Sequence, residues 1–168
     1  MPLSIYLAGP GVFRPDATDH GAALKRFCAD RGIVGLWPLD NDVSRAATRI
    51  DIATQIYRAN CAMIDRADAV IADLAPFRGP HMDVGTAFEI GYAVAKGKPV
   101  FGYGAPGPMI DRIRSRDVAG KYRDDDGMSV EDFDLVENLM IAVPLAGLCS
   151  DAQGAIASAA DAIGAIRN

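Results

Sequence analysis

The chain has 168 residues, 50% of them hydrophobic, and its 17 Lys and Arg against 22 Asp and Glu give a formal charge of -5. That length fits one domain with a substantial core, and no apolar run approaches the roughly 18 residues of a membrane span. The acidic balance argues against a nucleic-acid or polyphosphate surface, which needs clustered Lys and Arg, so the expected partner is a small molecule, with no nucleic acid and no membrane.

Ser4-Ile-Tyr-Leu-Ala8 is a short apolar run closed by Gly9-Pro10-Gly11, and Ala22 to Arg31 carries helical spacing, so the chain opens as strand, loop, helix. Ile33 to Trp37 reads as a second strand ending at Pro38. The stretch from about Thr48 to Arg66 has Ile52, Ile56, Ala59 and Met63 on one helical face. Ala69 to Asp73 is a third strand, a helix carrying Glu89 follows and stops near Gly97, and Pro99 to Tyr103 is a fourth strand. Strands alternating with helices imply a parallel sheet covered on both faces. From Gly104 to Asp132 the composition turns to Gly, Pro, Arg and Asp, which suggests a mobile loop with at most a short helix near Met109 to Arg114. A helix is expected from about Val130 to Ala146, broken near Pro144, and an Ala-rich one from Asp151 to Ile166. A fifth strand has only a weak candidate near Gly147.

Cys28, Cys61 and Cys149 are odd in number and widely spaced, as expected of reduced thiols in a cytoplasmic protein. The N-terminal Met-Pro-Leu-Ser carries no positive leader, which also favours the cytoplasm. With His20 and His81 the only histidines and no Cys/His cluster, no metal site is expected.

In open parallel sheets ligands bind beyond the carboxyl ends of the strands. Tyr6 and the Gly9-Pro-Gly-Val-Phe13 loop on the first strand, Asp73 on the third, and Asp83 and Glu89 on the following helix are expected to converge there. The run Asp83-Val-Gly-Thr-Ala-Phe-Glu89-Ile-Gly-Tyr-Ala sets a glutamate among small and apolar neighbours. Gly85, Thr86, Tyr92 and Ala93 stand three and four residues away and leave a slot beside it. Such a carboxylate is a candidate nucleophile or base; the competing reading is a surface glutamate paired with Lys96 or Lys98. Asp83 stands where an N-cap would, Asp73 where a turn aspartate would, and Tyr6 fits a core position. The glycine loop lacks the third glycine of a dinucleotide fingerprint, and Pro10 has no N–H for a phosphate. A receiver domain is disfavoured by Ala8-Gly9 in place of an acidic pair.

Tyr6-Leu-Ala-Gly-Pro, Asp73-Leu, the Asp83 to Ala93 run and Glu137-Asn-Leu-Met-Ile141 resemble, in that order, the nucleoside 2-deoxyribosyltransferases. The resemblance implies a single-domain α/β, flavodoxin-like doubly wound parallel sheet, and exchange of nucleobases on 2-deoxyribose through a covalent glycosyl-enzyme ester without metal or organic cofactor. It implies Glu89 as nucleophile, Tyr6 as its orienting group and Asp73 as the group handling the base and its proton. It further implies Asp83, Gly9 and Phe13 at the substrate, and Asn138 and Met140 reaching the neighbouring subunit's site in a homo-oligomer. Deoxyribonucleosides and free nucleobases, purine and pyrimidine, are the implied partners.

The chemistry agrees with those roles. A base leaving an anomeric carbon builds positive charge on the sugar, which a carboxylate beneath it stabilises and then traps as an ester. A second acid protonates the leaving base. A related branch that hydrolyses nucleoside 5′-monophosphates is the alternative, and Asp83 disfavours it by facing the dianion with a like charge. A non-catalytic nucleoside-binding module is the alternative of another class.

Overall fold

The structure, a computed structural model, describes residues 2–43, 48–113, 115–117 and 119–167. Five parallel strands form one sheet in the order β2-β1-β3-β4-β7. They are β1 (Ser4–Ala8), β2 (Val34–Leu36), β3 (Ala69–Asp73), β4 (Val100–Tyr103) and β7 (Gly147–Cys149). This is the expected flavodoxin-like order, and it places the reversal of winding between β1 and β3, where such folds open a crevice. The weak candidate near Gly147 is the fifth strand, paired with β4 through Phe101 and Gly147.

Helices α1 (Ala17–Ala29) and α5 (Ala152–Arg167) cover one face, and α2 (Arg49–Arg66) and α3 (Val84–Ala95) the other. Alternation along β1 decides which side chain goes where. Ile5 and Leu7 join the core under α1 and α5, whereas Tyr6 and Ala8 join the core under α2 and α3 with Ile64, Val70 and Ile90. Tyr6 is thereby aimed at α3. Helix α2 starts where expected, with Thr48 and Asp51 closing a reciprocal capping box. Helix α3 stops before Gly97, whose φ of 69° ends it in the left-handed region.

Three expectations need correction. The first helix begins at Ala17, five residues earlier than expected. The segment 104–132 holds a 3-10 turn at Met109–Arg112 and a two-stranded hairpin of β5 (Ser115–Asp117) and β6 (Tyr122–Asp124). The helix expected over 130–146 shrinks to one turn, α4 (Leu139–Ala142). Its first half is drawn into other bonds, because Glu137 turns inward and Leu135 accepts the Met109 N–H at 2.7 Å.

Ile90 is fully buried and seats α3 against the sheet. Ile90→Ala is expected to lower the unfolding free energy by about 2–5 kcal/mol, measured by urea denaturation.

Candidate active site

Tyr6 is fully buried on the strand, and its hydroxyl donates to Glu89 Oε1 at 2.5 Å. Neither lysine suspected of pairing with Glu89 does so: Lys96 bridges to Asp65 at 2.8 Å, and Lys98 donates to the backbone of Asp65 and Ala67. Burial pushes the Glu89 carboxyl from its ordinary 4.5 up to about 7, the Tyr6 hydrogen bond holds it back, and the Asp83 charge adds to the rise. Burial and the carboxylate together push the Tyr6 phenol far up, so it stays a donor.

Glu89 opens on a cleft of about 320 Å³ walled by Gly9, Val12, Phe13, Pro38, Leu39 and Ile56, with Asp83, Thr86, Asn41 and Asn60 as its other polar members. Asp83 is the N-cap of α3, and its Oδ2 accepts both the Thr86 N–H at 2.8 Å and the Thr86 hydroxyl at 3.0 Å. One oxygen thus serves the helix cap on a side chain that also lines the cleft. Asn41 Nδ2 donates to Pro38 O at 2.9 Å and to Asn60 Oδ1 at 3.2 Å, which sets the Asn60 oxygen toward Asn41. No motif marked these two asparagines; only the fold brings them to Glu89.

Asp73 lines an adjoining cleft of about 270 Å³ with Pro10, Arg14, His20 and Phe77, and Phe13 belongs to both clefts. The single crevice expected for all the carboxylates is thus divided by the Gly9–Phe13 turn. Burial raises the Asp73 carboxyl, while the Ala75 N–H at 2.9 Å, His20 and Arg14 draw it back. Gly9, at φ 155°, has room only for hydrogen, since a Cβ there lies 2.8 Å from the Asp73 Cβ. Phe13 stacks on Phe77 at 5.4 Å with Arg78 over both rings.

Asn138 and Met140 lie outside both clefts of their own chain. Asn138 caps α4 by accepting the Met140 N–H at 3.0 Å and donates to Glu131, while Met140 is 72% exposed. The preceding Glu137 is almost fully buried. Although burial raises its carboxyl, hydrogen bonds from His81 and from the N–H groups of Asn138 and Met82 outweigh that and hold it below the ordinary range. It was legible only as a letter of the motif.

Residues 5–140 match the model of the family described as nucleoside 2-deoxyribosyltransferase. The chain belongs to the nucleoside 2-deoxyribosyltransferase family. It is similar to a 2-deoxyribosyltransferase from Leishmania mexicana, at 36% identity and TM-score 0.77 over 95% of this chain and 98% of that one. A 2-deoxyribosyltransferase from Bacillus psychrosaccharolyticus shares the fold at 22% identity and TM-score 0.57, over 89% of this chain and 87% of that one. An uncharacterized protein from Schizosaccharomyces pombe is 34% identical over 155 residues, covering 81% of this chain and 74% of its own length. As a member of this deoxyribosyltransferase family, the chain is a glycosyl-transferring enzyme with nucleosides and nucleobases as its substrates. Among the described residues no helix is long and apolar enough to cross a membrane.

The raised Glu89 carboxyl has a measurable consequence for stability. Its folded value of about 7 exceeds the ordinary 4.5, so the protonated form stabilises the fold below about pH 4.5 and that contribution is lost as pH rises through 7. Glu89→Gln is expected to be more stable than the wild type at pH 8 by up to about 3 kcal/mol, with the difference gone below pH 4.5. Urea titrations at pH 4 and pH 8 check this.

Proposed function

We propose that the chain is a nucleoside 2-deoxyribosyltransferase that exchanges bases through a covalent ester on Glu89. The observation that carries the reading is the Glu89 carboxylate, half-buried in an apolar-walled cleft and held at 2.5 Å by a buried phenol, with no lysine neutralising it. A Glu89 oxygen attacks C1′ of the sugar, the C1′–N bond breaks, and its electron pair goes to the base nitrogen, which takes a proton from Asp73. The incoming base then attacks C1′, the ester C–O bond breaks, and the acceptor's proton passes to Asp73. Two displacements at one carbon retain configuration. Phe13, shared by the clefts of Glu89 and Asp73, supplies a ring on which a base stacks between them.

Asp83 supports a free nucleoside over a 5′-monophosphate as the donor. Its carboxylate lines the cleft near Glu89, and a phosphate dianion there meets a like charge at close range. The exposed Met140 beside Asn138 supports a homo-oligomer in which this segment completes a neighbour's site.

The deciding assay mixes the protein with deoxyinosine and adenine and follows deoxyadenosine by chromatography; exchange is expected in the wild type and nearly none in Glu89→Gln. A slow fluorinated 2-deoxynucleoside should leave a sugar adduct on the wild type alone, seen by intact mass. Full activity in Glu89→Gln would sink the mechanism.

Because the nucleophile acts as its anion, kcat/KM for the donor should rise with pH through about 7. Tyr6→Phe removes the bond that holds the Glu89 carboxyl down, so the rise should move to higher pH and activity at pH 7 should fall roughly 10- to 100-fold, the scale of a hydrogen bond to a charged group. An unchanged pH profile would contradict an orienting role for Tyr6.

Site sharing is tested by mixing Glu89→Ala with Asn138→Ala, each expected to be nearly inactive alone. In a random one-to-one dimer mixture half the dimers are mixed and half their sites intact, so roughly a quarter of full activity should return if the interface is isologous. Subunits that exchange without regaining activity would show a site built within one chain.

A further inference from the structure

Glu137 is the one carboxylate among the described residues that is nearly fully buried, at 2% exposure, and base exchange as described makes no use of it. Its Oε1 accepts from His81 Nδ1 at 2.6 Å and from the Asn138 N–H at 3.0 Å. Its Oε2 accepts the Met82 N–H at 3.0 Å and lies 3.5 Å from Arg112 Nη2. The same guanidinium donates to Pro80 O at 2.9 Å, Gly107 O at 2.7 Å and Val136 O at 2.6 Å. Four donors converge on two oxygens, and the Arg112 fork ties three chain segments around them.

The two backbone partners are the informative ones. Met82 immediately precedes Asp83, and Asn138 directly follows Glu137. One carboxylate therefore holds the peptide that carries the cleft's Asp83 and the peptide that carries Asn138, which lie 55 residues apart in the chain. A buried charge costs several kcal/mol unless its bonds are complete, and an apolar residue fills a purely structural position without that cost. A carboxylate is required where two N–H donors must be gripped at once, because it offers acceptors only on both oxygens.

We propose that Glu137 is a positioning residue that sets Asp83 to receive the nucleoside's 5′-hydroxyl, at the end of the cleft where a 5′-phosphate would meet the Asp83 charge, a role that rests on the deoxyribosyltransferase reading. Through Met82 it fixes the entry of α3 and the Asp83 oxygen that the Thr86 bonds leave uncommitted. Through the Asn138 N–H it fixes the start of α4, from which Met140 projects. One buried group thereby couples the sugar end of a site to the segment offered to a neighbour.

The test is Glu137→Gln. Its amide has one acceptor oxygen and one NH2, so either the Met82 N–H or the Asn138 N–H must face a donor, and one of the two grips opens. Base exchange is measured with deoxyadenosine, and with 2′,5′-dideoxyadenosine, which lacks the 5′-hydroxyl. The ratio of their kcat/KM values is expected to fall about tenfold in the variant, the scale of one hydrogen bond to a charged group, with the rate on the 5′-deoxy substrate held within about twofold of wild type. A residue that merely stabilises the fold lowers both substrates together; an equal loss on both, or an unchanged ratio, overturns the proposal. If Glu137→Gln does not fold, His81→Ala, which removes a half-exposed partner from the same oxygen, decides by the same ratio: a fall supports the proposal and no change overturns it. A wild type that exchanges bases on neither substrate overturns the deoxyribosyltransferase reading and the proposal with it.

Discussion

The structure of the site depends on one hydrogen bond, from the Tyr6 hydroxyl to Glu89. Tyr6 sits on β1, between β2 and β3 in the sheet, where it is fully buried and has no freedom to move. Its phenol fixes where the carboxylate of α3 can stand. The bond also tempers the chemistry. Burial alone drives the Glu89 carboxyl toward its protonated form, a far weaker nucleophile than the anion, and the phenol returns part of the anion's stability. The result is a carboxylate more basic than an exposed one, with its protonated and ionised forms both present near neutral pH. Such a group destabilises the fold that holds it, the usual relation between an active site and stability.

The second carboxylate is set apart by backbone rather than by distance along the chain. Gly9 carries the turn between the clefts in a conformation that favours glycine, tight against the Asp73 Cβ, and Gly104 at φ 76° closes on Asp73 Oδ1 from the other side. Asp73 is therefore clamped between two glycines with Arg14 and His20 beside it, whereas Glu89 has a phenol and a neighbouring acid. Burial raises both carboxyls, and each is drawn back by different partners, the phenol at Glu89 and the Ala75 N–H, His20 and Arg14 at Asp73.

The strands and the first helices were legible because their signals are local. Thr48 followed by Asp51 writes a capping box, Gly97 writes a stop, and β1, β3 and β4 are continuous apolar runs of buried parallel strands. Glu89 was legible for the opposite reason, as a charge where the pattern called for none. What was not legible is what depends on contacts between distant segments. The helical period over 130–146 loses to Glu137, whose donors come from His81, Met82 and Arg112. Asn41 and Asn60 meet only because α2 returns past the turn after β2. Arg14, in the turn after β1, and His20, on α1, meet Asp73 only because the fold brings both segments to the end of β3.

At Asp83 the helix cap and the binding proposed for it are compatible on one side chain. Ser, Thr, Asn and Asp all cap helices with similar strength, so capping alone does not select a carboxylate at the start of α3. Both Thr86 bonds fall on Oδ2, and a second oxygen is the property that aspartate has and serine lacks. That oxygen belongs to a residue lining the cleft, and the charge it shares raises the proton affinity of Glu89 six residues on. A ligand hydroxyl donating to Asp83 would draw off part of that charge. On the proposed base exchange, a sugar hydroxyl bound at the N-cap of α3 would thus lower the Glu89 carboxyl six residues on, and a nucleoside in the cleft would leave that carboxylate more fully ionised.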